Sequence, residues 1–274
     1  MSIDTEKYEL AKKLYLEGNS LTKISKEVGI ERHKLSWLFK KDGIEVITCG
    51  KTHEYIEDIF DVIDTEEKAY WLGFLYADGN VVPYGKYEIK LSLAYKDLDH
   101  VKRFASFVLK NENGSELVHE YTARIGKKEY PSAKVTVTNK KMVTQLEKLG
   151  CIANKSLVLT FPNENQVPNH LVRHFIRGYF DGDGCAYRLK TGRQNVAISI
   201  VGTEKFLKSI IDIFKKICSN YGAESLYRKQ NQQAWQLNKC NYKANKEIYE
   251  YLYKDATIYL DRKYEIFADL YGKL

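Results

Sequence analysis

One nine-residue pattern occurs twice in the chain, as WLGFLYADG at residues 71–79 and as IRGYFDGDG at residues 176–184. Each copy is a largely apolar run that ends in a small residue, an aspartate and a glycine, and the aspartates Asp78 and Asp183 are 105 residues apart. A single Asp-Gly turn after a core helix is ordinary turn chemistry. Recurrence with the same offsets instead indicates a duplicated unit that supplies one carboxylate from each copy.

The small residues in each copy share one helix face. Gly73 and Ala77 are four positions apart, and so are Gly178 and Gly182. Residues at this spacing lie on one side of a helix, where a second backbone can approach closely. We therefore expect the two helices to pack against each other through these faces.

The aspartates are predicted to lie at helix C-termini, because Gly79 and Gly184 are placed to end the helices. A carboxylate there is disfavoured by the negative end of the helix dipole, and two adjacent carboxylates repel each other. Bound Mg²⁺ or Mn²⁺ would resolve both conflicts, since hard cations take carboxylate and backbone carbonyl oxygens. The predicted metal ligands are Asp78, Asp183 and the backbone of Ala77 and Gly182.

These two segments resemble the motif of the LAGLIDADG homing endonucleases, and their separation resembles that of the single-chain members with two motifs. The resemblance covers about residues 60–274 and implies that Asp78 and Asp183, at the eighth motif position, are the catalytic acids. It also implies a double-strand break with short 3′ overhangs. One departure is Tyr76, where the motif name has its first aspartate; the second copy keeps Asp181.

The same order of patterns follows each motif. Alternating residues predict strands, and apolar residues at three- and four-residue spacing predict helices. The predicted segments are strands 87–93, 117–125 and 131–138 with helices 97–109 and 139–149 in the first copy, and strands 195–200, 223–229 and 233–240 with helices 203–218 and 242–253 in the second. We therefore predict an α+β fold of two pseudo-symmetric αββαββα repeats, at 63–165 and 166–274. The family resemblance adds that they form a DNA-binding β-saddle.

One face of each antiparallel sheet is predicted to pack on helices and the other to stay free. The outward side chains are of the types that read base edges in the major groove. They are Lys90, Ser92, Lys134, Thr136 and Thr138 in the first copy, and Arg188, Lys190, Asn195, Ser199, Gln236 and Asn238 in the second. An ordinary solvated face is the alternative, and a one-residue slip would invert the assignment.

Two lysines match a segment that often carries a functional lysine in this family. They are Lys155, in GCIANKS at 150–156, and Lys263 near the end of the second copy. The resemblance implies a catalytic part for both, stabilising negative charge or perturbing an attacking water. A solvated surface charge is the alternative for any one of the 43 Lys and Arg residues.

Residues 1–43 resemble a resolvase-type helix-turn-helix, followed by a linker at 44–62. Helices are predicted at 5–17, 20–28 and 31–41, with Gly29 at the turn. The third helix would enter the major groove. Its predicted DNA contacts are Arg32, His33, Lys34, Ser36 and Trp37. A plain three-helix cap is the alternative.

Composition favours a polyanionic partner, because the net charge is +7 and the pI is about 8.9. Five cysteines without a Cys-x-x-Cys pair argue against a zinc site or a disulfide framework. We expect a monomeric, cytoplasmic protein (nucleoid-associated in a prokaryote) with no membrane partner, because the sequence shows no long apolar run. We also expect a mobile element that is intron-encoded or free-standing rather than an intein.

The combined prediction is a site-specific endonuclease that hydrolyses double-stranded DNA at a long target, with divalent metals held by paired aspartates. Two alternatives on the same scaffold stay open. One is a non-catalytic DNA-binding regulator, which is expected to lose the acids. The other is an RNA maturase that binds its own intron RNA.

Overall fold

The computed structural model describes residues 4–17, 19, 21–44, 46, 53–110, 113–189, 196–229 and 233–274. The chain divides into two compact units, Met1–His53 and Glu54–Leu274. In the described ranges, no helix combines the length and the apolar character needed to cross a membrane.

The described residues of the first unit form three helices around a small core. They are α1 (Thr5–Leu16), α2 (Leu21–Val28) and α3 (Arg32–Lys41). Asp4 caps α1 by accepting a hydrogen bond from the Lys7 backbone N–H, and Gly29 makes the turn before α3 with a φ of +68°. The core side chains are Ala11, Ile24, Val28, Leu35, Phe39 and Val46.

The second unit consists of two repeats with the predicted αββαββα order, so the α+β prediction is confirmed. The first repeat contains α4 (Glu66–Asp78), β1 (Gly79–Val82), β2 (Glu88–Ala94), α5 (Leu98–Val108), β3 (Val118–Ile125), β4 (Lys128–Thr138) and α6 (Lys140–Lys148). The second contains α7 (Val172–Asp183), β5 (Gly184–Arg188), β6 (Val196–Gly202), α8 (Glu204–Ile217), β7 (Ser225–Arg228), β8 (Trp235–Lys239) and α9 (Tyr242–Tyr253), and it is followed by α10 (Asp261–Tyr271).

Matching helices of the two repeats begin with the same capping chemistry. Asn139 accepts from the Met142 N–H at the start of α6, and Asn241 does the same for Ala244 at the start of α9. Such caps satisfy a backbone donor that the first helical turn leaves unpaired.

Each repeat forms one antiparallel sheet, with strand orders β1-β2-β4-β3 and β5-β6-β8-β7. In the first sheet Ile89 is paired with Val137 and Leu91 with Val135, and all four side chains are buried. The sheet phase predicted for this repeat therefore has no one-residue slip, which would have turned these apolar side chains to the open face.

Two segments pack differently from expectation. Part of the expected linker belongs to the second unit, because Tyr55 pairs with Leu109 and the side chains of Ile59 and Phe60 are buried in its core. Helix α10 was not among the predicted elements, and it buries Phe267 against aromatic rings of α9.

Candidate active site

The motif helices α4 and α7 cross with their backbones in contact. A Cβ on Gly73 would overlap the carbonyl oxygen of Phe175, and a Cβ on Gly178 would overlap that of Tyr70. A Cβ on Gly182 would likewise overlap the Cβ of Ala77. The four small residues expected at the interface therefore lie in it, and larger side chains there would force the helices apart.

The crossing brings the ends of the two helices together. Asp78 and Asp183 are the last residues of α4 and α7, and both side chains reach solvent. The Oδ2 atom of Asp78 lies 3.3 Å from the position that a Cβ on Gly182 would occupy, next to Asp183 in the chain. One carboxylate from each repeat thus faces the same space.

Desolvation raises the pKa of both acids, and the charge of Asp78 adds to the shift of Asp183. The pKa of Asp183 is raised to about 6, first by desolvation and then by the negative charge of Asp78, while Lys155 and Lys263 oppose the shift. The pKa of Asp78 is also raised by desolvation, and the same two lysines oppose it. The two acids therefore share one electrostatic environment, in which added positive charge would be stabilised.

Both predicted lysines are buried at the ends of the motif helices. Lys155 is 7% exposed and donates to the carbonyl oxygen of Gly79. Lys263 is 3% exposed and donates to the carbonyl oxygens of Phe180 at 2.7 Å and Gly182 at 3.0 Å, and also to those of Asp181 and Gly184. Cations at these positions satisfy carbonyl groups that a helix C-terminus leaves unpaired. A solvated surface charge is therefore not the right description of either lysine.

Burial lowers the pKa of Lys263 to about 8, while the charge of Asp181 works in the opposite direction. A buried ammonium that is close to losing its proton near neutral pH is uncommon outside functional sites. Lys263 therefore differs electrostatically from the surface lysines of the chain.

Three further side chains lie around the acids and were not among the predicted site residues. They are Tyr179, Arg262 and Asp97. The Tyr179 hydroxyl donates to the Val201 carbonyl at 2.8 Å and also interacts with Asp183, whereas the matching residue of the first motif is Phe74. Arg262 donates to both oxygens of Asp97, at 2.8 and 3.1 Å, and its charge lowers the pKa of Asp78. The available sequence signal for Arg262 was its position beside Lys263.

The donor set fits a hard divalent cation. In the part of the chain that the structure describes, no three His, Cys, Asp or Glu side chains gather into a metal cage. Two carboxylates with nearby backbone carbonyls leave room for water or phosphate oxygens, which is how Mg²⁺ is usually bound. The Gly182 carbonyl already accepts from Lys263, so it has one lone pair left for an ion.

The open face of the first sheet carries the predicted polar side chains. Lys90 is paired with Thr136, Ser92 with Lys134, and Glu88 with Thr138, and these positions alternate with the buried ones. The Lys134 ammonium lies 5.1 Å from the centre of the Tyr121 ring.

The second sheet corrects two of the predicted positions. Ser199 is paired with Asn238 but is only 8% exposed, and Gln236 donates to Asn238 at 2.9 Å on the same face. Arg188 was expected there, but it is paired with Val196 on the helix-facing side and bonds to Asp269 at 3.2 Å. The reason is the alternation along β5, which puts Arg188 on the face of the buried Ala186. Lys190 and Asn195 lie outside the described residues.

The predicted contact residues of the first unit occupy the outer face of α3. Arg32, His33 and Trp37 are exposed, and Lys34 and Ser36 are half-buried. The Trp37 ring is 60% exposed, with the Lys41 ammonium 5.4 Å from its centre. A large exposed aromatic ring among basic groups is unusual for a purely structural helix.

Comparison with known proteins finds one family model and several solved structures that resemble this chain. Residues 170–253, from two residues before α7 to the end of α9, match the model of the LAGLIDADG-like domain. The homing endonuclease I-WcaI, bound to its DNA recognition sequence, matches with a TM-score of 0.51 and 12% identity over 82% of this chain and 97% of that chain. At this identity the likeness shows the fold alone.

Two further solved structures resemble the chain less closely. The meganuclease I-SmaMI bound to uncleavable DNA has a TM-score of 0.46 and 11% identity, over 76% of this chain and 88% of that chain. The LAGLIDADG homing endonuclease I-GzeII in complex with its DNA target has a TM-score of 0.44 and 11% identity, over 74% and 88%. No curated protein matches the sequence.

Proposed function

We propose that this chain, which carries a LAGLIDADG-like domain within the two-repeat fold of the LAGLIDADG endonucleases, is a site-specific, metal-dependent DNA endonuclease. The observation that carries the proposal is the pairing at the helix crossing. Asp78 and Asp183 face one space, and each lies beside a helix end that holds its own buried lysine. A scaffold that needed only close-packed helices would have no use for two repelling carboxylates there.

Asp78 and Asp183, with the Ala77 and Gly182 carbonyls, would hold the divalent ions. When bound, such ions supply Lewis-acid stabilisation of the attacking and leaving oxygens of a phosphodiester. The role of the protein scaffold is to hold the two carboxylates at a constant separation, and the backbone contact between α4 and α7 does this. Lys155 and Lys263 hold positive charge near the acids, where it favours a phosphate group and the charge that develops on it.

Double-stranded DNA is the proposed substrate, and the open sheet faces are its proposed binding surface. Their lysine, serine, threonine, glutamine and asparagine side chains can pair with base edges or phosphates. They are Lys90, Ser92, Lys134, Thr136, Thr138, Gln236 and Asn238, while the predicted Ser199 is too buried to be included. Arg188 faces the other side of its sheet, so we leave it out of this surface.

The first unit is proposed to be a second DNA contact. Helix α3 carries four Lys and Arg residues and no acidic residue, and its exposed side chains include Arg32, His33 and Trp37. Phosphate contacts from such a helix would add affinity that falls as salt rises. The target could then extend beyond the bases read by the two sheets.

A cleavage selection tests the proposal. The full chain is incubated with a randomised duplex library and Mg²⁺, beside the Asp78→Asn/Asp183→Asn variant and the surface control Asp212→Asn. We expect discrete cut products from the wild type and from the control, and none from the double variant. Enrichment of bound duplexes without any cutting would overturn the nuclease and favour a DNA-binding regulator. Preferential binding of structured intron RNA would favour a maturase.

A further inference from the structure

The sixth positions of the two motifs are occupied by different residues, and the proposed chemistry uses neither of them. Tyr76 is 2% exposed and Asp181 is 1% exposed. A buried carboxylate or hydroxyl is costly unless its polar atoms are paired, so each side chain must have a structural partner.

Asp181 binds the segment that leads into α10. One of its oxygens accepts from the Tyr253 hydroxyl at 2.7 Å, and the other accepts from the Tyr70 hydroxyl at 2.8 Å and the Leu260 backbone N–H at 2.7 Å. Leu260 comes three residues before Lys263. The carboxylate therefore fixes the turn from which α10 carries Lys263 back to the end of α7.

Tyr76 makes the corresponding connection in the first repeat with the opposite polarity. Its hydroxyl donates to the carbonyl oxygen of Leu149, just after α6. Gly150 allows this approach, because a Cβ there would overlap the hydroxyl, and its φ of +93° suits glycine. The Cys151 thiol also donates to the Leu75 carbonyl at 3.5 Å, and the chain then reaches Lys155.

We infer that Tyr76 and Asp181 are positioning residues, each of which sets the lysine of its own half-site against the carbonyl groups at the end of the motif helix. Tyr76 serves Lys155, and Asp181 serves Lys263. Tyr76 stands where the motif name has its first aspartate, and it takes over the positioning role that Asp181 has in the second motif. The catalytic consequence rests on the proposed function, whereas the placement of the lysines does not.

The two positioning residues, Asp181 and Tyr76, differ in the number of hydrogen bonds that they make. Asp181 accepts three hydrogen bonds, and Lys263 meets four carbonyl oxygens. Among the described residues Tyr76 makes one hydrogen bond, and Lys155 donates to the Gly79 carbonyl. We therefore expect the larger effect when the positioning residue in the second repeat is removed.

The test measures how fast individual lysines are methylated in the full chain by ¹³C-formaldehyde and a borohydride reagent, with the sites resolved by mass spectrometry. In Asp181→Asn, Lys263 should react at least roughly fivefold faster, as loss of a buried hydrogen bond allows, while Lys155 keeps its rate. In Tyr76→Phe the pattern should reverse. Each lysine is thus the internal control for the other.

Acceleration of both lysines in either variant, or of neither, would overturn the inference, because a generally loosened fold exposes both. If Asp181→Asn does not fold, Tyr253→Phe removes one donor to the same carboxylate. It should accelerate Lys263 to a smaller extent and leave Lys155 unchanged. An unchanged Lys263 in that variant would equally count against the positioning role of Asp181.

Strand-resolved cleavage of a duplex from the selection gives the catalytic readout. Asp181→Asn should slow the cut on one strand and Tyr76→Phe the cut on the other, so that nicked intermediates accumulate. Equal slowing of both strands would contradict the assignment of one lysine to one half-site. If the wild-type chain cuts no duplex, the proposed function fails, and the labelling still decides the positioning roles.

Discussion

Gly178 has no space for a side chain, because the carbonyl oxygen of Tyr70 occupies the position that its Cβ would take. Gly73 has the reciprocal relationship with the Phe175 carbonyl. The two repeats therefore meet through their backbones at this crossing. This contact fixes the relative positions of Asp78 and Asp183 at the helix ends.

Gly178→Ala should destabilise the protein by about 1–3 kcal/mol, since an added methyl group must push two backbones apart. At a solvent-facing helical position the same change would stabilise by about 0.5–1 kcal/mol. Urea unfolding measures the difference, with Lys205→Ala on the exposed side of α8 as the control. An unchanged or higher midpoint for Gly178→Ala would show that the helices are not in backbone contact.

Asp183→Asn should make the protein more stable at about pH 8. The folded pKa of Asp183 is about 6 against an ordinary value of 3.8, so its charged form costs stability as the pH rises through that range. The expected gain is about 1 kcal/mol, less than the shift alone implies, because solvent reaches the carboxylate. The gain should shrink below about pH 5. Thermal unfolding of both proteins across this pH range measures the difference. A variant that is less stable than the wild type at about pH 8 would show that the charged Asp183 is not destabilising.

Mg²⁺ should raise the melting temperature of the wild-type protein, since an ion that binds only the folded site stabilises it. The Asp78→Asn/Asp183→Asn variant should lose this increase, and Asp212→Asn should keep it. Differential scanning fluorimetry over a Mg²⁺ titration gives the comparison without any DNA. Equal responses of all three proteins would remove the acids from the proposed metal site.

Acid should destabilise the second unit partly through His100. The Tyr70 hydroxyl donates to Asp181, so the Nε2 atom of His100 must donate to Tyr70, and Nδ1 is left buried without a partner among the described residues. Burial lowers the pKa of His100 from 6.5 to about 3. The unfolded chain binds this proton first, so stability falls as the pH drops from 6.5 towards that value.

His100→Gln should reduce that pH dependence by as much as about 1.4 kcal/mol per pH unit, the contribution of one proton. Gln keeps a donor near the Tyr70 hydroxyl. Urea unfolding at several pH values measures the slope, and His174, whose pKa is also lowered by burial, should supply a remaining part. An identical slope in the variant would mean that His100 protonates as easily in the folded state.

Arg32→Ala should weaken DNA binding by the full chain and reduce the slope of log affinity against log salt by about 1, as expected for loss of one phosphate contact. Trp37→Ala should lower affinity with little change in that slope, because an aromatic ring stacks or packs without releasing counterions. Fluorescence anisotropy with a selected duplex measures both. Lys7→Ala on α1 is the control, since it also removes one basic side chain. If it lowers DNA affinity as much as Arg32→Ala does, the contribution of Arg32 is only general attraction between positive charge and DNA.

Much of the architecture follows from the sequence because the duplication repeats each local signal. The Gly-Asp offsets predicted which helices cross, and the alternation in β2 and β4 predicted which side of the first sheet is buried. The α+β prediction rests on these local patterns, and the two antiparallel sheets and their helices confirm it.

Other features depend on contacts that no local pattern reveals. Arg188 is the last residue of a short strand, where strict alternation turns it towards α10 and Asp269. The expected linker mixes apolar residues with acidic ones and shows no clear helix or strand period, yet its Ile59 and Phe60 are buried in the core of the second unit. Tyr76 looked like a simple departure from the motif, since its bond to Leu149 spans 73 residues.

The glycine-lined crossing also bears on how the two repeats have diverged. Strand β4 has 11 residues and its counterpart β8 has five, so the sheets differ greatly in length. The joint between the repeats consists of backbone and small residues, and it can stay the same while the sheet surfaces change. For a nuclease of this design, new targets could be acquired strand by strand without altering the spacing between the two cuts.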